Sequence, residues 1–262
     1  MAVAAALALA VGAGGVASAD PDATSPWNDK LCAQTTTHPP AVPKAAAEGS
    51  PRTLALPAVP GGPVYGDPAA STRYWQMQSQ NDCALMAMRI ALAELNHGHA
   101  PTEAELVQLA THTDSDCTPG APVYDITLHP EDDPLGSLGH GVCPGDLPKL
   151  LKHYGVQSTA TNDVIATRGG SPTGMPTLLT YLAQGQKVIA GVNCETLWDV
   201  ADGDHTGGDH AILVAAVDTS KNLVYLGDTG GPDTRGEQVT IDAFEAAWVP
   251  GEHAMIVTEP PA

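Results

Sequence analysis

The chain has 262 residues, with 11 Lys or Arg against 30 Asp or Glu, and its formal net charge at pH 7 is −19. The few basic residues form no cluster, so neither nucleic acid nor an anionic membrane surface is an expected partner. The length allows one large domain or two small ones, and we expect a single folded domain of about 190 residues.

The first residues form an apolar run that is too short to cross a bilayer, and Ala17-Ser18-Ala19 follows as a small-residue cleavage pattern. We therefore predict a signal peptide over 1–19 and a secreted or cell-envelope protein. No later stretch is long and apolar enough for a membrane span. Residues 20–70 are rich in Pro and Ala and predict an extended arm, which leaves 71–262 as the domain.

The five cysteines are Cys32, Cys83, Cys117, Cys143 and Cys194. An odd number in an exported protein leaves one thiol free. If Cys83 is the free one, a Cys117–Cys143 disulfide would close a long loop and a Cys32–Cys194 disulfide would tie the arm to the domain, although four cysteines can pair in three ways. None has the C-x-x-C spacing of a structural zinc site, and we expect neither a metal nor a cofactor.

The first part of the domain has helical patterns. From Cys83 to Leu95 only Arg89 and Glu94 interrupt an apolar run, which is typical of a central buried helix. A capping box at 102–105 opens a second helix that reaches about residue 110. Further helices are predicted over 146–154 and 177–183, with a long loop over 113–143.

The pattern then changes to strands. Apolar runs predict strands over 187–193, 210–218, 222–228 and 253–258, with a short amphipathic helix over 241–248. Helices first and antiparallel strands later indicate the α+β class.

Cys83 lies where a polar segment meets the central helix, and the dipole and free N–H groups of a helix N-terminus favour the thiolate nucleophile. His210 begins one predicted strand and Asp228 ends the next. If the turn between them centres on Thr219, these two residues lie directly opposite each other on one face. The pattern predicts a Cys–His–Asp triad, while hairpin ends are also common places for polar residues.

Two other carboxylates compete with Asp228 as the group that orients the imidazole. Asp218 is better placed to brace the turn, and Asp209 points to the opposite face of a regular strand. Oxyanion stabilisation would come from the backbone N–H of Cys83 and a glutamine side chain. Gln76, Gln78 and Gln80 all remain candidates for the latter.

The segment 198–209 carries several acidic side chains that offer oxygen ligands for a divalent cation. It lacks the twelve-residue calcium-loop pattern with a terminal Glu. A flexible acidic loop over the active site is the preferred interpretation.

Taken together, the motifs resemble the bacteriocin-processing-type cysteine peptidases, family thirty-nine of that catalytic class, in their stand-alone, exported actinobacterial branch. The matching motifs are Trp75-x-x-Gln78, Asp82-Cys83, the block at 182–189, Leu197-Trp198, Gly-Asp-His210, Asp228 and Phe244-x-x-Ala247-Trp248. The resemblance covers about 72–258 and implies a papain-like fold, with a helical first half whose central helix packs on an antiparallel sheet.

The resemblance also implies roles for the site residues. Cys83 would be the nucleophile, His210 the general base and Asp228 the orienting group, with Gln78 as the oxyanion glutamine by its spacing from Trp75. Gln78 lies one residue nearer to Cys83 than the family pattern has it, so Gln76 stays open. The expected function is cleavage of a peptide or amide bond in a peptide or protein substrate. A cysteine acyltransferase and a catalytically silent secreted binding module are the alternatives.

Overall fold

The computed structural model describes residues 62–126 and 141–261. Its helices are α1 Ala70–Arg73, α2 Cys83–Leu95, α3 Glu103–Thr111, α4 Leu147–His153, α5 Asp163–Thr167, α6 Met175–Ala183, α7 Cys194–Leu197 and α8 Ile241–Trp248. Its strands are β1 Val64–Gly66, β2 Ser158–Thr161, β3 Val188–Val192, β4 His210–Asp218, β5 Leu223–Gly227, β6 Gln238–Thr240 and β7 Met255–Thr258. None of the helices in these two ranges has the length and apolar character that a bilayer crossing requires.

All strands of the described chain belong to one antiparallel sheet in the order β2-β7-β3-β4-β5-β6, and β1 pairs with the last part of β4, beyond the start of β3. Helices and an antiparallel sheet give the α+β class that the sequence predicts. Every residue of β3 and of β4 is buried, because both strands are covered on both faces. This double covering explains why they are nearly continuous apolar runs without polar alternation.

Helices pack against both faces of the sheet. On one face, α2, α3 and α4 share a core with alternate residues of β4 such as Ala211 and Leu213. On the other face, α6, α7 and α8 share a core with Ile212 and Val214 of the same strand. The central helix α2 is therefore buried along most of its length, and its first residue reaches the end of the sheet where β4 begins.

The longer predicted elements agree with the structure. Helix α2 has its predicted bounds, and α3 starts at the predicted capping box, in which Thr102 and Glu105 bond to each other's backbone N–H. Where the sequence predicts a helix over 146–154, the structure has a 3-10 turn at Pro144–Asp146 followed by α4. The elements missing from the prediction are β1, α1, β2, α5, α7 and β6. Each has three to five residues, which is too short to show a periodicity.

Part of the predicted organisation lies outside the described residues. That holds for the signal peptide at 1–19 and for most of the arm, whose end forms β1. The Cys117–Cys143 disulfide is confirmed, and Cys83 has a free thiol. Cys194 is also disulfide-bonded, but Cys32 is outside the described ranges, so that pairing stays a prediction.

Candidate active site

Helix α2 brings the thiol of Cys83 to the start of β4. Cys83 is the first residue of α2 and is partly exposed. Its Sγ accepts a hydrogen bond from the backbone N–H of Ala211 at 3.4 Å, which places the sulfur beside His210, and Cys83 contributes to raising the pKa of His210. A nucleophilic atom and an imidazole therefore meet where a helix N-terminus abuts the end of a buried strand.

Asp228 holds the other side of the imidazole. His210 Nε2 lies 2.8 Å from Asp228 Oδ1, and both side chains are almost completely buried. Because an ionised carboxylate can only accept, Nε2 carries the proton of this bond. Nδ1 is then the ring nitrogen left to face Cys83. The structure thus brings together the three residues that the sequence singled out.

The predicted pairing register of β4 and β5 is wrong, but His210 and Asp228 still lie on the same face of the sheet. The turn takes four residues, so Asp218 pairs with Leu223, and the register shifts again at a bulge around Ala215. Past the bulge Leu213 pairs with Gly227, which places Asp228 opposite Ile212 and diagonal to His210.

The bulge decides the face on which Asp228 lies. A regular ladder continued from the turn would place Asp228 opposite Leu213, on the other face from His210. The extra residue at the bulge shifts the register by one, which moves Asp228 to the same face as His210. Both side chains then lie on the face that carries Val214 and Leu226.

Asp228 is fixed through its side chain and its backbone. Its Oδ1 also accepts from the N–H of Gly230 at 2.8 Å, and its Oδ2 accepts from Trp198 Nε1 at 3.1 Å. Its carbonyl oxygen accepts from Trp75 Nε1 at 2.5 Å and from the Thr234 hydroxyl at 2.8 Å. These bonds compensate the burial of a charged carboxylate and leave it little freedom to turn.

Trp198 and Gly230 form a tight corner around this carboxylate. The Trp198 ring lies 5.2 Å from the His210 ring, between centroids, at an angle of 55°. A Cβ on Gly230 would lie 3.0 Å from that indole and 3.2 Å from Asp228 Oδ1, so a side chain there would push the two apart. Trp198 is one of the motif residues that carry the resemblance, and it contacts both Asp228 and His210.

Glu237 is a fourth titratable group at the site, and sequence reasoning missed it. Its carboxyl is buried beside the carboxylate of Asp228, and its Oε2 has no hydrogen-bond partner among the described residues. Burial, followed by the negative charge of Asp228, raises the pKa of Glu237 well above its ordinary value. The neutral, protonated form of Glu237 is therefore favoured beside Asp228. It lies beside the short strand β6, where no sequence pattern marks it.

Opposing effects set the charges of the His–Asp pair. Burial disfavours an imidazolium, but the charge and hydrogen bond of Asp228, followed by contact with Cys83, outweigh it and raise the pKa of His210 well above 6.5. Burial likewise disfavours the Asp228 carboxylate, yet His210 and the other donors lower the pKa of Asp228 below its usual 3.8. The arrangement favours an imidazolium–carboxylate pair beside the sulfur.

Of the three glutamines, the structure builds Gln78 into the site. Its Oε1 accepts from the hydroxyl of Thr229, and its backbone N–H donates to the carbonyl of the same residue. Its Nε2 donates to the carbonyl of Gln80 at 3.0 Å, which uses one of the two N–H bonds of the amide. Gln76 is exposed with its amide near Glu103, and the side chain of Gln80 lies near a tyrosine hydroxyl.

The competing carboxylates have other partners. Asp218 braces the turn by accepting from the backbone and hydroxyl of Ser220 and from the N–H of Lys221, as predicted. Asp209 accepts from the N–H of Cys194 at 2.8 Å. Asp209 also lies near Glu195 and the Cys194 sulfur, but a disulfide-bonded sulfur is not free to bind a metal.

Comparison with known proteins gives uncharacterized relatives and a distant structural neighbour. No family model matches the chain. Among solved structures, a C39-like peptidase candidate from Bacillus anthracis is similar over 75% of this chain and 97% of its own, with a TM-score of 0.48 and 17% identity. Uncharacterized protein Rv1268c of Mycobacterium tuberculosis and uncharacterized protein Mb1299c of Mycobacterium bovis are each 37% identical over 211 residues, or 78% of this chain and 89% of their own. The chain belongs to the family of these mycobacterial proteins.

Proposed function

We propose that this protein is an exported cysteine peptidase with a papain-like arrangement, of the family-thirty-nine type that its motifs resemble. One observation carries the proposal: a free thiol at a helix N-terminus is bonded to the backbone N–H of Ala211, directly after a buried imidazole that a buried carboxylate fixes. Nucleophile, base and orienting group in this order are what acyl transfer requires.

The chemistry follows from the positions of the three groups. His210 holds the proton of the Cys83 thiol on Nδ1 as an imidazolium, and the thiolate sulfur attacks the carbonyl carbon of the substrate amide. The imidazolium returns that proton to the leaving amine, and the C–N bond breaks. Water, deprotonated by the same imidazole, then hydrolyses the thioester and releases the acid. Asp228 keeps the Nε2–H bond throughout, so that Nδ1 faces the reacting atoms.

The tetrahedral intermediate needs donors for its oxyanion. The backbone N–H of Cys83 belongs to the start of α2, where no side chain caps the helix. The second donor in this proposal is the remaining N–H of Gln78, because the contacts with Thr229 and Gln80 fix that amide between the two segments of the site. Removing one such donor costs about 3 kcal/mol of transition-state stabilisation.

Export is part of the proposal. The Cys117–Cys143 disulfide supports an oxidising compartment. A chain with a net charge of −19 and no basic cluster fits a peptide or protein substrate better than a polyanion.

Alkylation and turnover test the proposal together. We expect iodoacetamide to label Cys83 rapidly and with a marked pH dependence, and a fluorogenic peptide library to yield a cleaved sequence. Cys83→Ala is the control, since it should lose both signals while keeping its circular dichroism spectrum. A slow, unremarkable thiol would favour the silent binding module. Transfer of the acyl group to an added amine in place of water would favour the acyltransferase.

A further inference from the structure

Asp82, which directly precedes Cys83, is a buried carboxyl group that the proposed mechanism does not use. It has the N-cap position of α2, where an aspartate ordinarily accepts a hydrogen bond from the first turn of the helix. Its side chain makes no such bond. The residue is 0% exposed, and neither carboxyl oxygen accepts a hydrogen bond from any group in the described chain. A buried polar group without a donor requires an explanation.

The groups that face Asp82 supply the explanation. From α3 comes the carboxylate of Glu103, which accepts two bonds from Ser79, one from its N–H at 2.6 Å and one from its hydroxyl at 2.8 Å. From the loop after α3 comes the buried side chain of Tyr124. A hydrogen bond between two carboxyl groups needs a proton on one of them. Glu103 already accepts from Ser79, so in such a bond Asp82 would be the donor.

The electrostatics agree with this geometry. Burial, followed by the charge of Glu103, raises the pKa of Asp82 from 3.8 to about 8. Burial and the nearby Asp82, Cys83 and Glu103 raise the pKa of Tyr124 as well, so its hydroxyl stays neutral. Asp82 is then the group of this cluster that changes charge in mildly alkaline solution.

We propose, on the basis of the proposed function, that Asp82 is a positioning residue for Cys83: as a neutral acid it bonds to Glu103, holds the start of α2 against α3, and leaves the helix N-terminus uncapped for the sulfur and the oxyanion. Loss of the Asp82 proton breaks that bond and leaves the carboxylates of Asp82 and Glu103 to repel each other. It also adds a negative charge next to the nucleophile, which opposes a second negative charge on sulfur or oxygen.

The charge beside the sulfur can be read without a substrate. Iodoacetamide is neutral and iodoacetate is anionic, and both react with the same thiolate, so the ratio of their rates cancels the thiolate fraction. The full chain is labelled between pH 6 and pH 10, and peptide mapping confirms labelling at Cys83. In the wild type we expect the ratio of the iodoacetamide rate to the iodoacetate rate to rise about fivefold near pH 8. A new negative charge several Å from the sulfur repels the anionic reagent by about that factor.

Three variants test whether the rise near pH 8 comes from Asp82. Asp82→Asn should not show the rise, while any change of the ratio due to His210 remains. Glu103→Gln should move it to lower pH, because one cause of the delayed ionisation of Asp82 is gone. Glu105→Gln removes an equal charge from the same helix at an exposed position that faces Thr102, and should leave the transition in place. If Asp82→Asn does not fold, the two glutamine variants decide the question.

Superimposed wild-type and Asp82→Asn profiles, or a transition that Glu103→Gln does not move, would overturn the role of Asp82 even if the protein hydrolyses peptides. Conversely, the expected labelling ratios in a chain that cleaves no peptide would support that role and refute the proposed function.

Discussion

Replacing Asp82 by Asn should stabilise the protein in a pH-dependent way. In the folded chain the carboxyl keeps its proton up to about pH 8, whereas its ordinary pKa is 3.8. The folded state therefore binds more protons than the unfolded state between these values, and the wild type loses stability as the pH rises from about 4 to 8. The loss worked from these two values is about 4 kcal/mol at pH 7.

Asparagine has nearly the same shape and cannot ionise in either state. Its amide also keeps a donor for Glu103. The free energy of unfolding of Asp82→Asn minus that of the wild type should therefore grow by about 1.4 kcal/mol per pH unit between pH 4 and pH 8, and stay flat outside that window. Urea unfolding followed by tryptophan fluorescence at pH 4, 5.5 and 7 measures it.

Asp218→Asn provides a matched control of opposite sign. The hydrogen bonds from Ser220 and Lys221 lower the pKa of Asp218 to about 2. The Asp218 carboxylate contributes its full stabilisation of the fold above its ordinary pKa, and this stabilisation is lost as the pH falls through its lowered pKa. This variant should be less stable than the wild type at neutral pH and should approach it in acid. A difference for Asp82→Asn that is constant with pH, or that shrinks as the pH rises, would refute the reasoning.

The remaining predictions concern the proposed catalytic residues. Cys83→Ala should abolish hydrolysis in a folded chain, and full turnover in that variant would eliminate the nucleophile assignment. Asp228→Asn should lower kcat about a thousandfold, less than Cys83→Ala or His210→Ala, because it misorients the imidazole without removing it. Glu237→Gln keeps a neutral donor to Asp228 and should retain most of kcat, whereas Glu237→Leu should lose about tenfold; equal kinetics for the two would rule out that donor. Trp198→Phe keeps a ring beside the imidazole but loses the bond to Asp228, so kcat should fall about tenfold with little change in KM.

The sequence contained the main features of the site because each of them has a local signal. The apolar run from Cys83 to Leu95 predicts α2 with its correct bounds, since a helix buried all round needs apolar residues at every position. The run that starts at His210 predicts β4 for the same reason. The turn-bracing role of Asp218 follows from local chemistry between neighbours.

What the sequence did not predict depends on contacts between distant segments. The register of β4 and β5 depends on a turn one residue longer than assumed and on a bulge that the buried apolar run conceals. The contact of Glu237 with Asp228 arises only when β6 pairs with β5. Asp82 is buried near Glu103 and Tyr124, which lie more than twenty residues further along the chain.

The irregularity at Ala215 has a consequence for how relatives of this protein should be aligned. A gene that lost this one codon would encode an unbroken ladder in which Val214 still meets Leu226, and imidazole and carboxylate would still project together. Loss of two codons would turn the imidazole to the opposite face from Asp228 and remove the proposed activity, although Cys83, His210 and Asp228 all remained in the translated sequence. The spacing of this segment, read as a length of eight or nine residues, is therefore as informative about activity in a homologue as the identity of its histidine.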